Sequence, residues 1–166
     1  MKYILSVCII FFCAKSLAQE SNLQLKAQFI ARFVQFIQWP PPPAAEFVYC
    51  IAADETMLKA FHQVKLVGAN QQAFKILSIN TPENAKDCHV LYLKSSDKAE
   101  LQQWQERLLQ APILVISDNS EAFRQLAIIV LVSGPDKMSF RINKTLADSR
   151  GLVLSSQLLK LAQEVR

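Results

Sequence analysis

Two cysteines, Cys50 and Cys88, and two histidines, His62 and His89, are the side chains best suited to chemistry beyond the N-terminal segment of this chain. Cys50 lies inside the apolar run Phe47-Val48-Tyr49-Cys50-Ile51-Ala52-Ala53, and Cys88 opens Cys88-His89-Val90-Leu91-Tyr92-Leu93-Lys94-Ser95-Ser96. Three uses compete. As zinc ligands with the histidines, the cysteines lack the close paired spacing of zinc motifs. As a nucleophile, Cys88 needs a base, yet a neighbouring His89 on the same strand points to the opposite face. As a disulfide, the pair closes about 38 residues and stabilises the fold by roughly 4 kcal/mol in the chain-entropy model. The redox compartment decides among them.

The N-terminus addresses that question. Met1-Lys2-Tyr3 is followed by an apolar stretch from Ile4 to Ala14 and then by Ser16-Leu17-Ala18. An early lysine, a short apolar core and small residues before a cleavage point form a secretory signal peptide, expected at residues 1–18 with cleavage after Ala18. A membrane anchor needs about 20 apolar residues, and Lys15 and Gln19-Glu20-Ser21-Asn22 interrupt too soon. Residues 19–166 are then one periplasmic domain. Cleavage removes Cys8 and Cys13 and leaves two cysteines, an even count that favours a Cys50–Cys88 disulfide.

The loss of Lys2 and Lys15 takes 18 basic residues to 16 against 14 acidic ones, so the formal charge falls from +4 to +2. The basic residues are scattered. Nucleic acid needs a clustered patch, and none is expected as a partner. With 51% hydrophobic residues, the chain can fill a core.

Other reactive groups find structural uses. Asp54, Glu55, Asp87 and Asp118 sit near strand ends, where carboxylates cap helices and turns. Ser95, Ser96, Ser155 and Ser156 likewise precede helical segments, and no Gly-x-Ser-x-Gly elbow supplies an activated serine. No glycine-rich phosphate loop follows a strand. We expect no catalytic residues, metal or cofactor.

The elements that position these residues follow from periodicity. Phe29, Ile30, Phe33, Val34 and Ile37 mark one face of a helix from Leu23 to Gln38, ended by Trp39-Pro40 and a stiff connector through Pro43. Strands are expected at 47–53, 74–79, 88–93 and 113–116, with helices at 55–63, 98–109 and 121–125 between them. Two further runs, 127–132 and 137–143, flank Gly134-Pro135-Asp136 as an antiparallel hairpin. Asn143 or Thr145 caps a short helix, and a last helix runs from Gln157 to Val165 with Leu158, Leu159, Leu161 and Ala162 inward. Alternating strands and helices ending in a hairpin argue for an α/β three-layer sandwich, a mainly parallel sheet with an antiparallel C-terminal hairpin. Along the flank of the first helix, Arg32, Phe36 and Trp39 recur at i, i+4 and i+7, and these residue types dominate binding hot spots.

The segments Lys26-Ala27 through Phe36-Ile37-Gln38-Trp39-Pro40, Phe47-Val48-Tyr49-Cys50-Ile51 and Asp87-Cys88-His89-Val90-Leu91-Tyr92-Leu93 resemble the YfiR family of periplasmic proteins. The resemblance continues through Pro112-Ile113-Leu114-Val115-Ile116-Ser117-Asp118, Phe140-Arg141-Ile142-Asn143 and Gly151-Leu152-Val153-Leu154-Ser155-Ser156-Gln157-Leu158-Leu159. It implies a negative regulator that binds the periplasmic sensor region of an inner-membrane diguanylate cyclase and lowers cyclic di-GMP. An outer-membrane lipoprotein that sequesters the regulator and a tendency to homodimerise are also implied. The chain departs from the family at Arg124-Gln125-Leu126-Ala127, where glycines are common. The alternative expectation is a periplasmic small-molecule-binding module without a cyclase partner.

Overall fold

A computed structural model of the chain describes residues 22–40, 46–134 and 137–166. The expected signal peptide, most of the proline connector, and Pro135-Asp136 of the hairpin turn lie outside the described residues.

Helix α1 spans residues 22–33 and buries Ala27, Ile30, Ala31 and Phe33, the stripe that a period near 3.6 requires. It ends a turn and a half before the expected Gln38. Val34–Phe36 tightens into a 3-10 turn, and Ile37–Gln38 becomes strand β1. Burial from Ile37 to Trp39 alternates in, out, in, the signature of extended chain, and the residue before a proline avoids helical geometry. The Ser155 N–H donates to the Phe36 carbonyl at 2.9 Å, and β1 pairs antiparallel with β8 (Val153–Leu154).

The remaining strands are β2 (Phe47–Ala52), β3 (Phe74–Ser78), β4 (Val90–Leu93), β5 (Leu114–Ser117), β6 (Ile129–Ser133), β7 (Met138–Ile142) and β9 (Glu164–Val165). They form one sheet in the order β3-β2-β4-β5-β6-β7-β9. The pairings from β3 to β6 are parallel, β6 and β7 are antiparallel, and β9 runs parallel to β7. The expected mainly parallel sheet with an antiparallel hairpin is therefore present. The last helix, however, stops at Leu161. The Gln163 N–H donates to the Phe140 carbonyl at 2.8 Å and delivers β9 to the sheet.

Five of the helices begin where a side chain can accept an otherwise unmatched amide. Asp54 caps α2 (Glu55–Gln63), Asp97 caps α3 (Lys98–Arg107), and Asn119 caps α4 (Ser120–Gln125). Asn143 caps α5 (Lys144–Ser149), and Ser155 caps α6 (Ser156–Leu161). Such a cap contributes about 1 kcal/mol.

The central strands β2, β4 and β5 are covered on both faces, and their alternation divides the core in two. Phe47, Tyr49, Ile51, Val90, Tyr92, Leu114 and Ile116 face α1, α2, α5 and α6. Val48, Cys50, Leu91, Leu93 and Val115 face α3, α4 and the 3-10 turn Pro82–Ala85. The result is three layers.

Candidate functional site

Cys50 sits in the middle of β2 and is fully buried on the α3–α4 side of the sheet. Cys88 follows the Pro82–Ala85 turn and donates its N–H to the Ala85 carbonyl at 3.1 Å. The two are joined as a disulfide with their Cα atoms 5.8 Å apart, well inside the usual range for such a bridge. Both sulfurs lie in the core, so their place is structural.

His89 is equally committed. Its Nδ1 accepts the Val48 N–H at 3.0 Å, and its carbonyl accepts the Trp39 Nε1–H at 3.3 Å. The ring stacks on Phe47 with centroids 4.8 Å apart. Burial holds its pKa below the ordinary imidazole value, against the opposing pull of Asp87. His62 is exposed on α2, and no metal-binding group occurs among the described residues.

Of the strand-end carboxylates, Asp54 and Asp118 are consumed by structure, whereas Glu55 and Asp87 are exposed. Asp54 accepts the Met57 N–H at 3.1 Å and pairs with Lys94 at 2.6 Å. Its hydrogen bond from Lys94 is the main cause holding its carboxyl far below the usual range. Asp118 at the end of β5 pairs with Lys26 of α1 and takes a hydrogen bond from the Tyr92 hydroxyl, whose pKa burial drives strongly upward. Ser95 donates to Glu100 at 2.6 Å, and the Ser155 hydroxyl accepts the Leu158 N–H at 3.2 Å. These groups carry caps and ion pairs.

The three hot-spot candidates separate. Arg32 is exposed and Phe36 half-buried, and both border a groove of about 630 Å³ between α1, β7 and α6. Trp39 is only 6% exposed and packs edge-on against Phe47 at 5.1 Å. Helical spacing had placed it on the Arg32 flank, but the chain leaves the helix at residue 33, so the indole turns into the core.

The groove is apolar at its base, where Phe29, Phe33 and Phe140 meet edge-to-face with centroids 4.9 to 6.3 Å apart. Leu161 stands on its wall with 68% of its surface exposed, and Leu25 contributes 38%. Leu161 was expected to face inward. The six-residue α6 buries only Leu158, and the helix ends before a second turn can bury another leucine. The pairing of Leu161 with α1 had no local signal, because the two meet only through the tertiary fold.

A second concavity, about 760 Å³, opens at the amino ends of the parallel strands beside the disulfide. Trp39, His89, Lys75, Lys86 and Arg107 line it, together with Glu46, which pairs with Lys75 at 3.1 Å.

A family model described as YfiR/HmsC-like matches residues 23–163. No curated protein matches the chain. Among solved structures, an ABC domain from Streptococcus pneumoniae in complex with L-Trp superposes with a TM-score of 0.57 at 9% identity, covering 84% of this chain and 62% of that one. A conserved domain protein from Vibrio cholerae superposes with a TM-score of 0.58 at 10% identity, covering 87% of this chain and 60% of that one. The chain thus spans about three fifths of each of these structures, and at such identity the likeness concerns the α/β fold alone.

Proposed function

The chain belongs to the YfiR/HmsC-like family, and from that membership we propose that it is a non-enzymatic periplasmic regulator. It binds the sensor region of an inner-membrane diguanylate cyclase and represses it. The observation that carries this reading is the extent of the family match, residues 23–163, which takes in nearly all of the described domain. Residues 1–18 serve as the export signal in this reading, which also supplies the oxidising compartment that the Cys50–Cys88 bridge requires.

Inhibition is a matter of linkage: the regulator binds one conformation of the sensor more tightly and shifts its population. A hundredfold difference in affinity between two states changes their ratio by the same factor, equivalent to about 2.7 kcal/mol. The groove bordered by Arg32, Phe36 and Leu161 is the docking face in this account. An outer-membrane lipoprotein that competes for the regulator, and self-association, belong to the same proposal. The test is a deletion strain complemented in the periplasm. Cyclic di-GMP should rise on deletion and return with the wild-type chain, and the sensor region should co-purify with it. Unchanged cyclic di-GMP on both deletion and overexpression rejects the reading.

A second reading, a small-molecule sensor, is favoured by the cleft of about 760 Å³ beside His89 and Trp39, which falls in the usual size range of ligand pockets. A thermal-shift screen that includes L-Trp, nucleotides and other amino acids tests it. A ligand at about a hundred times its Kd adds about 2.7 kcal/mol of stability. Absence of any shift rejects it.

A further inference from the structure

The groove between α1, β7 and α6 has a charge pattern that specifies what can lie in it. Two cations border it, Arg32 on α1 and Lys137 at the start of the β7 arm, and among the described residues no carboxylate lines it. Neither Arg32 nor Lys137 is tied up in an ion pair with a described carboxylate, so both charges are available to a ligand in the groove. Between these unpaired charges lies the aromatic base of Phe29, Phe33 and Phe140, flanked by Leu161 and Met138. A leucine 68% exposed at the edge of such a base is apolar surface kept open to water.

We propose that this groove receives an amphipathic helix whose apolar stripe is flanked by carboxylates, presented by the partner protein. The inference rests on the reading of this face as the docking surface and adds the chemistry of what docks. A ridge of side chains at i, i+3, i+4 and i+7 extends about 10 Å along a helix, close to the roughly 9 Å of the six-residue α6 that forms one wall. The carboxylates then meet Arg32 and Lys137, with Arg32 able to engage one of them through two parallel N–H donors. An anionic bilayer also combines apolar and acidic groups, but a membrane surface meets protruding side chains, and this site is concave.

The probes are two helix-stapled peptides of about 14 residues with leucine at i, i+3, i+4 and i+7. One carries glutamates beside the stripe and the other lysines. Fluorescence anisotropy against the mature protein should show the acidic peptide binding at least about tenfold tighter, a difference of about 1.4 kcal/mol. The double charge reversal Arg32→Glu with Lys137→Glu should invert that preference. Leu161→Ser should weaken both peptides without moving Tm, because the side chain is exposed. Failure of both peptides to bind overturns the inference, as does a preference that survives the charge reversal. Binding to anionic vesicles in place of either peptide also overturns it.

The two levels of the proposal fail separately. If the cyclase sensor region binds the wild-type and charge-reversed proteins equally, the groove assignment falls while the regulatory reading stands. If the sensor region never binds, the regulatory reading falls whatever the peptides do.

Discussion

His89 and Val48 exchange two hydrogen bonds of different kinds: the His89 N–H donates to the Val48 carbonyl at 2.9 Å, and the Val48 N–H donates to the His89 ring at 3.0 Å. A side-chain nitrogen thus completes the ladder at the point where β2 and β4 begin. The bond requires Nδ1 to be unprotonated.

Acid should therefore loosen this end of the sheet. Burial lowers the folded-state pKa of His89 below 6.5, so the neutral ring is favoured by folding. Its contribution is fully present above the unfolded pKa of about 6.5 and is lost as pH falls through the lower folded value. The melting temperature should decline below about pH 6.5 in the wild type and decline less in His89→Asn, whose carbonyl can accept the same amide without titrating. His89→Ala should cost about 1 to 3 kcal/mol by leaving the Val48 amide without a partner. Identical pH profiles in wild type and His89→Asn would sink this assignment.

Denatured, unreduced mature protein should contain no titratable thiol. Cys50→Ser with Cys88→Ser should lower unfolding free energy by roughly 4 kcal/mol, since the bridge closes 38 residues of chain. Denaturant melts with and without dithiothreitol check the second figure, and two reactive thiols in the first assay would refute the bond.

Arg32 and Trp39, which share a spacing in sequence, should behave as different classes of residue. Trp39→Ala removes an indole packed on Phe47 and should cost about 3 to 5 kcal/mol. Arg32→Ala should stay within about 0.5 kcal/mol of wild type, yet release the cyclase sensor region. Chemical denaturation and a pull-down on the same two variants separate the effects.

Backbone conformation gives an opposed pair. Gln71 has φ 62°, a left-handed conformation that costs a non-glycine residue about 1 kcal/mol, so Gln71→Gly should raise stability by up to that amount. Gly151 has φ 71°, and a Cβ there would lie 2.7 Å from Pro40 Cγ. Gly151→Ala should destabilise by about 2 kcal/mol. Thermal melts of the two variants should move in opposite directions.

Local chemistry was legible in the sequence wherever it acted locally. Asp54, Asn143 and Ser155 were readable as caps, because each is a short polar side chain just ahead of an apolar period, and before α3 the cap falls one residue beyond Ser95-Ser96, on Asp97. The parallel strands were equally plain as short apolar runs. What escaped were the two-residue strands Ile37–Gln38, Val153–Leu154 and Glu164–Val165, too short to show a period and fixed by partners distant in sequence. The same shortfall hid the groove. Its walls come from opposite ends of the chain, and the exposure of Leu161 depends on α6 stopping after six residues.

The covalent ring closed at Cys50 and Cys88 encloses all of α2 and β3. β3 is the terminal strand of the large sheet, with β2 as its one neighbour, and such a rim is where strand-by-strand aggregation starts. Cys50 lies in β2 opposite Leu77 of β3, and Cys88 leads into β4 on the other side of β2, so the chain that carries β3 is crosslinked to the sheet interior on both sides in sequence. The bridge acts as a hem stitched along the vulnerable border.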